Sequence, residues 1–133
     1  MIRFSKKVEY ALMALKFISA SSPRLVTARE ISDKVNIPYD LLSKILQRLK
    51  SEKILSSTQG THGGYILASS PDKIFLYEIM CAIDGDRALT ECLISGKEGE
   101  CGLEDSCSIK SPVTKLQKEV EELFKSKTIS DFV

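Results

Sequence analysis

Three cysteines stand close together in residues 91–107, ECLISGKEGECGLEDSC. Eight residues separate Cys92 from Cys101, and five separate Cys101 from Cys107. Free cysteine ordinarily behaves as a small core residue, yet this stretch is rich in Gly, Glu, Asp and Ser and offers little to bury a thiol. The spacing lacks the C-x-x-C knuckle of most structural zinc sites and the C-x-x-C pair of redox motifs. Thiolates favour zinc, copper(I) and iron–sulfur centres, and Gly96, Gly99 and Gly102 would let the chain bend around inorganic sulfide. By spacing alone, three readings stay open: an iron–sulfur cluster, zinc, or bare thiols. The fourth cysteine, Cys81, falls within an apolar helical stretch and is assigned to packing. A thiol enzyme lacks support, because the one histidine, His62, lies in a distant glycine-rich turn and no Cys/His pairing is visible.

The elements that must position this loop can be read from periodicity. A first helix is expected from about Ser5 to Ala20, with Tyr10, Met13, Ala14 and Phe17 as one apolar stripe widened by Val8, Leu12 and Leu15. Pro23 stops it. Thr27 caps a short second helix, AREISDKV, and Glu30 three residues on fits a capping box. NIP makes a turn, with Pro38 at the first position of a third helix, YDLLSKILQRLKSEK. Its apolar positions, Leu41, Leu42, Ile45, Leu46 and Leu49, follow a 3,4 repeat.

Helix, short helix, tight turn and helix is the sequence form of a helix-turn-helix. Asp40, Ser43, Lys44, Gln47 and Lys50 fall on the outer side of the third helix, where polar and basic side chains suit a nucleic-acid groove and its phosphates. ILSST and YIL, joined by QGTHGG, form a β-hairpin directly after that helix. A hairpin in this place is the wing of a winged helix, with Gly60, Gly63 and Gly64 supplying unusual backbone angles. Another helix carries Leu76, Ile79, Met80 and Ile83 and ends at Gly85. The cysteine segment, roughly Asp86–Lys110, follows as a long loop without structure of its own. A last helix is capped by Ser111 with Pro112 at its first position. Its stripe of Val113, Leu116, Val120, Leu123 and Phe124 calls for a partner, as in a homodimer interface. TISDFV adds a short final turn. The fold expected is mainly α with a small hairpin wing, divided into a winged helix-turn-helix (1–83), a cysteine-bearing loop (84–110) and a dimerisation helix with its tail (111–133).

Charge supports a polyanionic partner for the front half. Residues 1–70 carry 11 Lys and Arg against 5 Asp and Glu, whereas residues 71–133 carry 8 against 13, so the net charge of +1 hides a basic front and an acidic back. Glu9 and Lys16 interrupt the apolar N-terminal run, which therefore reads as a folded amphipathic helix rather than a secretory signal. No run approaches the roughly 18 apolar residues of a membrane span. A cytoplasmic protein with reduced thiols is expected.

FSKKVEYALMAL, AREISDKVNIPYDLLSKILQRLKSEKIL, the GTHGGY wing, the three cysteines and the terminal TISDFV, taken in order, resemble the Rrf family of winged-helix transcription regulators over nearly the whole chain. The resemblance implies a homodimer on double-stranded operator DNA. It implies an iron–sulfur cluster ligated by Cys92, Cys101 and Cys107, of the two-iron two-sulfur form in preference to four-iron four-sulfur. Some relatives place a histidine three residues after the last cysteine; here that residue is Lys110, an ammonium and a poor ligand. In others a carboxylate from the partner's first helix completes the site, which points to Glu9, with Glu104, Asp105 or water as alternatives. The competing reading, ranked below the ligand role, is that Glu9 simply solvates the first helix or pairs with a lysine.

The DNA-contacting set is then Ser43 and Gln47 toward bases and Lys44, Arg48 and Lys50 toward phosphates. Arg48 has an alternative place against its own subunit. Tyr39 joins the set at the start of the third helix, and Gln59, Thr61 and His62 join it in the wing. Gln59 stands where the family often has an arginine, for which Arg29 or His62 would compensate. The competing readings are the same fold with zinc or a thiol/disulfide switch, and a cluster carrier that does not bind DNA.

Overall fold

Polar caps start the first two helices. The computed structural model describes residues 3–133 apart from Ser95 and Glu98, and the side chain of Glu104 is also outside the described set. Helix α1 spans Lys6–Ser21, and Ser5 is its N-cap, its Oγ accepting from the Val8 amide. Helix α2 spans Ala28–Val35 behind Thr27, whose hydroxyl accepts from the Glu30 amide. Only half of the expected capping box forms. The Glu30 carboxylate turns to the Arg24 guanidinium instead, at 2.9 and 3.0 Å, which lowers its pKa. Asn36 ends α2 in the left-handed region, and the Ser32 hydroxyl donates to the Ile37 carbonyl across the turn.

Helix α3 spans Tyr39–Ser51. Pro38 is its N-cap rather than its first helical residue. Strands β1 (Leu55–Thr58) and β2 (Gly64–Leu67) pair antiparallel, Leu55 opposite Leu67 and Thr58 opposite Gly64. Val26 adds a one-residue third rung, exchanging both backbone hydrogen bonds with Tyr65. That pairing explains Gly64, where a Cβ would meet the Val26 backbone at 2.7 Å. Gly60 and Gly64 hold positive φ, as expected of the turn. Gly63 does not: it is needed for space, because a Cβ there would collide with the Thr58 carbonyl.

Helix α4 spans Leu76–Asp84 and ends at Gly85, φ 75°. Two single 3-10 turns, Glu91–Leu93 and Glu104–Ser106, interrupt the segment before helix α5 (Lys110–Ser126), so that segment is not without structure. Ile109, not Ser111, occupies the N-cap of α5. Pro112 sits in the first turn, where its missing N–H has no intrahelical acceptor to lose.

The core gathers Val8, Ala11, Leu12, Leu15 and Ile18 of α1 against Ile31, Leu42, Leu46, Leu49, Leu55 and Ile79. On α1 the buried stripe is rotated from the expected one: Met13 is 44% exposed while Ala11 and Ile18 are buried. The tail is more than a final turn. Phe75 and Thr128 bridge, the Leu76 amide donates to the Lys127 carbonyl, the Ile129 amide donates to the Ile74 carbonyl, and Ile129 is fully buried in the same core. The last residues therefore pack with the winged head rather than apart from it.

Candidate nucleic-acid interface and cysteine loop

Helix α3 buries Leu42, Ile45, Leu46 and Leu49, and at 100° per residue the opposite side carries Asp40, Lys44, Gln47 and Ser51, all exposed. Tyr39, Ser43 and Lys50 lie on the flank beside α2 and the wing. There the Arg29 guanidinium sits 4.0 Å from the centre of the Tyr39 ring, a cation–π contact that links the starts of α2 and α3. Tyr39 also raises the pKa of nearby Tyr65, second to burial. Lys50, Gln59, Thr61 and His62 are exposed. Ser43 departs from its expected role. Its Oγ is buried and has no hydrogen-bond partner, so in this conformation it faces away from a base and would have to change rotamer to reach one.

Arg48 also departs from a simple phosphate contact. Its Nε donates to the Ala82 carbonyl at 2.8 Å, tying α3 to α4, while one Nη lies 3.7 Å from Glu52. Two residues on, Asp84 accepts from the Ser5 hydroxyl at 2.9 Å and lies 3.6 Å from Arg87. The Leu89 amide then donates to Gln117 of α5 at 2.8 Å. The end of α4 is thus a junction joining the start of α1, the α3 flank and the head of the cysteine loop. Neither Ser5 nor Asp84 stood out in the sequence, because a contact across 79 positions leaves no local pattern.

None of the four cysteines is in a disulfide; Cys101 and Cys107 are exposed, and Cys92 and Cys81 are half-buried. The Cys92 sulfur lies 3.2 Å from the Thr90 hydroxyl. Cys81 is separate from the loop on α4, and burial pushes its thiol pKa up, which suits packing. Gly96, Gly99 and Gly102 all hold positive φ and bend the loop as their spacing suggested. The donor chemistry fits a soft metal centre, with three unpaired sulfur donors on a glycine-bent segment. One chain does not gather them: among the described residues, no group of three His, Cys, Asp or Glu is close enough to hold one metal ion. Glu9 pairs with Lys6 at 2.9 Å on α1, and the Glu104 side chain lies outside the described residues.

A model of the Rrf2 family, described as iron-dependent transcriptional regulators, matches residues 4–133. The chain belongs to the Rrf2 family. It is 31% identical to an HTH-type transcriptional regulator of Aquifex aeolicus, over 98% of this chain and 90% of that one. It is 32% identical to the regulator IscR of Xenorhabdus nematophila over 80% of this chain and 63% of that one. It is 24% identical to the regulator NsrR of Bacillus licheniformis, over 99% of this chain and 92% of the other. Among solved structures, CymR, the global cysteine regulator of B. subtilis, superposes with a TM-score of 0.76 at 21% identity, covering 99% of this chain and 96% of that one. T. potens IscR superposes with a TM-score of 0.73 at 23% identity, covering 98% and 85%. This Rrf2-family chain is therefore a DNA-binding transcription regulator and not an enzyme. No helix among the described residues is long and apolar enough to cross a membrane.

Helix α5 of this Rrf2-family chain carries one apolar stripe, and Val120 and Phe124 on its inner edge line a cleft against Tyr77 and Met80 of α4. Phe124 turns to the head, its ring 6.4 Å from that of Phe4. Ile109, Val113, Leu116, Val120 and Leu123 recur at alternating spacings of four and three, the a/d pattern of a paired helix. Of these, Ile109, Leu116 and Leu123 are at least half exposed. Ile109 was absent from the expected stripe because it precedes the expected cap.

Proposed function

We propose that this chain acts as a homodimer, paired along α5, whose grip on double-stranded operator DNA is set by an iron–sulfur cluster held by Cys92, Cys101 and Cys107. The observation that carries the reading is the position of three unpaired thiols on a glycine-bent loop between the winged head and α5, in a chain of the Rrf2 family. A two-iron two-sulfur cluster takes four protein ligands, so three thiolates leave one position for a weaker donor. Such a cluster supplies a centre sensitive to redox state, to nitric oxide and to its own loss. The cytoplasm, where thiols stay reduced, is the compartment that this chemistry requires.

The chain's own residues perform the rest. Gln47 and the outer side of α3 face base edges; Lys44, Lys50 and Arg29 meet phosphates; Gln59, Thr61 and His62 reach the neighbouring groove from the wing. Glu9, offered by the partner's α1, is the fourth donor. Its exposed pair with Lys6 holds it only weakly, because solvent screens surface ion pairs. The junction at the end of α4 links the cysteine loop to α1 and α3, so two arrangements of the loop would favour two poses of the heads.

Protein purified without air and supplied with iron and sulfide should absorb in the visible and carry iron. Cys92→Ala should abolish both signals, and Glu9→Ala should make the cluster more labile. A colourless protein that takes up no iron would refute the cluster reading, and a Glu9→Ala spectrum and lability equal to wild type would exclude Glu9. A second reading, thiol switching through disulfides, is favoured by the exposure of Cys101 and Cys107. It predicts an air-induced mass loss of two hydrogens and no bound metal. Zinc found by elemental analysis would support neither.

A further inference from the structure

A cleft of 370 Å³ lies between the start of α1, the flank of α3 and the end of α4, lined by Lys7, Leu41, Lys44, Ile45, Arg48, Ile83, Asp84 and Gly85. Three of these side chains are cationic and one is anionic. The anion is already engaged, because Asp84 accepts from Ser5 and faces Arg87. Arg48 is held by the Ala82 carbonyl and by Glu52, 3.7 Å from one Nη, and has guanidinium donors to spare. Among the described residues, neither Lys7 nor Lys44 forms an ion pair, whereas neighbouring Lys6 is paired with Glu9. The cleft therefore presents two lysines, Lys7 and Lys44, whose charge no ion pair among the described residues answers.

Its position says what would answer it. A helix with its side chains is about 10–12 Å across and the major groove is about 12 Å wide, so a helix docked there meets a phosphate wall on each flank. On one flank α3 has Tyr39 and Lys50, with Arg29 beside them. The other flank carries Leu41 and Arg48, with Lys44 at its edge, and this is the flank that borders the cleft.

We propose that this cleft seats a backbone phosphate of the operator, with Lys7 of α1 closing it opposite Lys44 and Arg48. Lys7 thereby extends the DNA interface beyond the helix-turn-helix and wing to the first helix. The proposal rests on the DNA-binding reading and adds a positioning contact to it. Because the contact is to phosphate, it supplies affinity and register without sequence preference.

The test is a fluorescence-anisotropy titration of two duplexes, one selected from a random pool by the wild-type protein and one a shuffled version of it, between 0.05 and about 0.4 M salt. Lys7→Gln should lower the slope of log K against log salt by about 0.9 per bound protomer, which at about 0.1 M salt is roughly an eightfold loss of affinity for each contact. The loss should be alike for both duplexes, and Lys7→Arg should restore most of it. Lys16→Gln, exposed on α1 but outside the cleft, should leave the slope unchanged. A wild-type slope and affinity in Lys7→Gln would overturn the proposal, as would an equal loss in Lys16→Gln or a loss confined to the selected duplex. A wild-type protein that enriched no duplex from the random pool would overturn the DNA-binding reading itself, and the proposal with it.

Discussion

Replacing Leu116 with Ser should weaken the proposed dimer while leaving the monomer fold intact. Leu116 is 50% exposed and Leu123 54% exposed in the single chain, so about half of each side chain remains to be buried by a partner. Complete burial of a leucine is worth about 1.5–3 kcal/mol, and the unburied half accordingly about 0.8–1.5 kcal/mol. In a two-fold dimer each substitution acts twice, so Leu116→Ser should cost about 1.5–3 kcal/mol of association, or roughly 10- to 150-fold in dissociation constant. Leu123→Ser should behave alike. Sedimentation equilibrium across a concentration series measures the constant, and circular dichroism checks that helix content and melting of the head are retained. Two results would refute the reasoning. One is a dissociation constant unchanged by both substitutions. The other is a variant that loses its helix content together with its dimer, which would show these leucines to be core residues of one chain.

Two further outcomes follow from the packing. Ile129→Ala should destabilise the winged head by about 2–5 kcal/mol in urea unfolding, as for a buried aliphatic truncated to Ala, because Ile129 is fully enclosed; a change below about 1 kcal/mol would mean that the tail is an appendage. The Arg24–Glu30 pair gives stability a pH dependence. The guanidinium lowers the Glu30 pKa from its ordinary 4.5, so the contribution is present above pH 4.5 and is lost as pH falls through the lower folded value. Glu30→Gln should thus melt slightly below wild type at pH 7, and the gap should close in acid; a gap that widened in acid would contradict the assignment.

The legible parts of the fold are those written in local pattern. AREISDKV coincides with α2 because Thr27 and Asn36 bracket just over two amphipathic turns. The 3,4 repeat of α3 placed Leu42, Ile45, Leu46 and Leu49 in the core. Hairpin strands with glycines between them placed the wing. Contacts between distant residues leave no such trace. Val26 enters the sheet as a single rung, too short for any alternation to show. The competition for Glu30 between its own helix cap and Arg24 is settled by where Arg24 lies after the chain turns. Ser43 belongs to the polar side of α3 by composition, but its angular position puts Oγ against the neighbouring structure. The α1 stripe was displaced because Tyr10 and Met13 are apolar enough to suggest burial yet sit at the margin, while small Ala11 is enclosed. At the site, the three thiols were visible as residues, whereas their separation in one chain and the Asp84 junction depend on the folded course of the loop.

The central claim is that the state of the cysteine loop governs DNA binding. It is tested most directly by titrating one selected operator duplex with three anaerobic preparations: cluster-loaded protein, the same protein stripped of iron, and a Cys92, Cys101 and Cys107 triple serine variant. Coupling between sites is commonly worth 1–3 kcal/mol, about 5- to 150-fold, so the loaded form should differ from the stripped form by a factor in that range, and the serine variant should follow the stripped form. Three coincident binding curves would contradict the account.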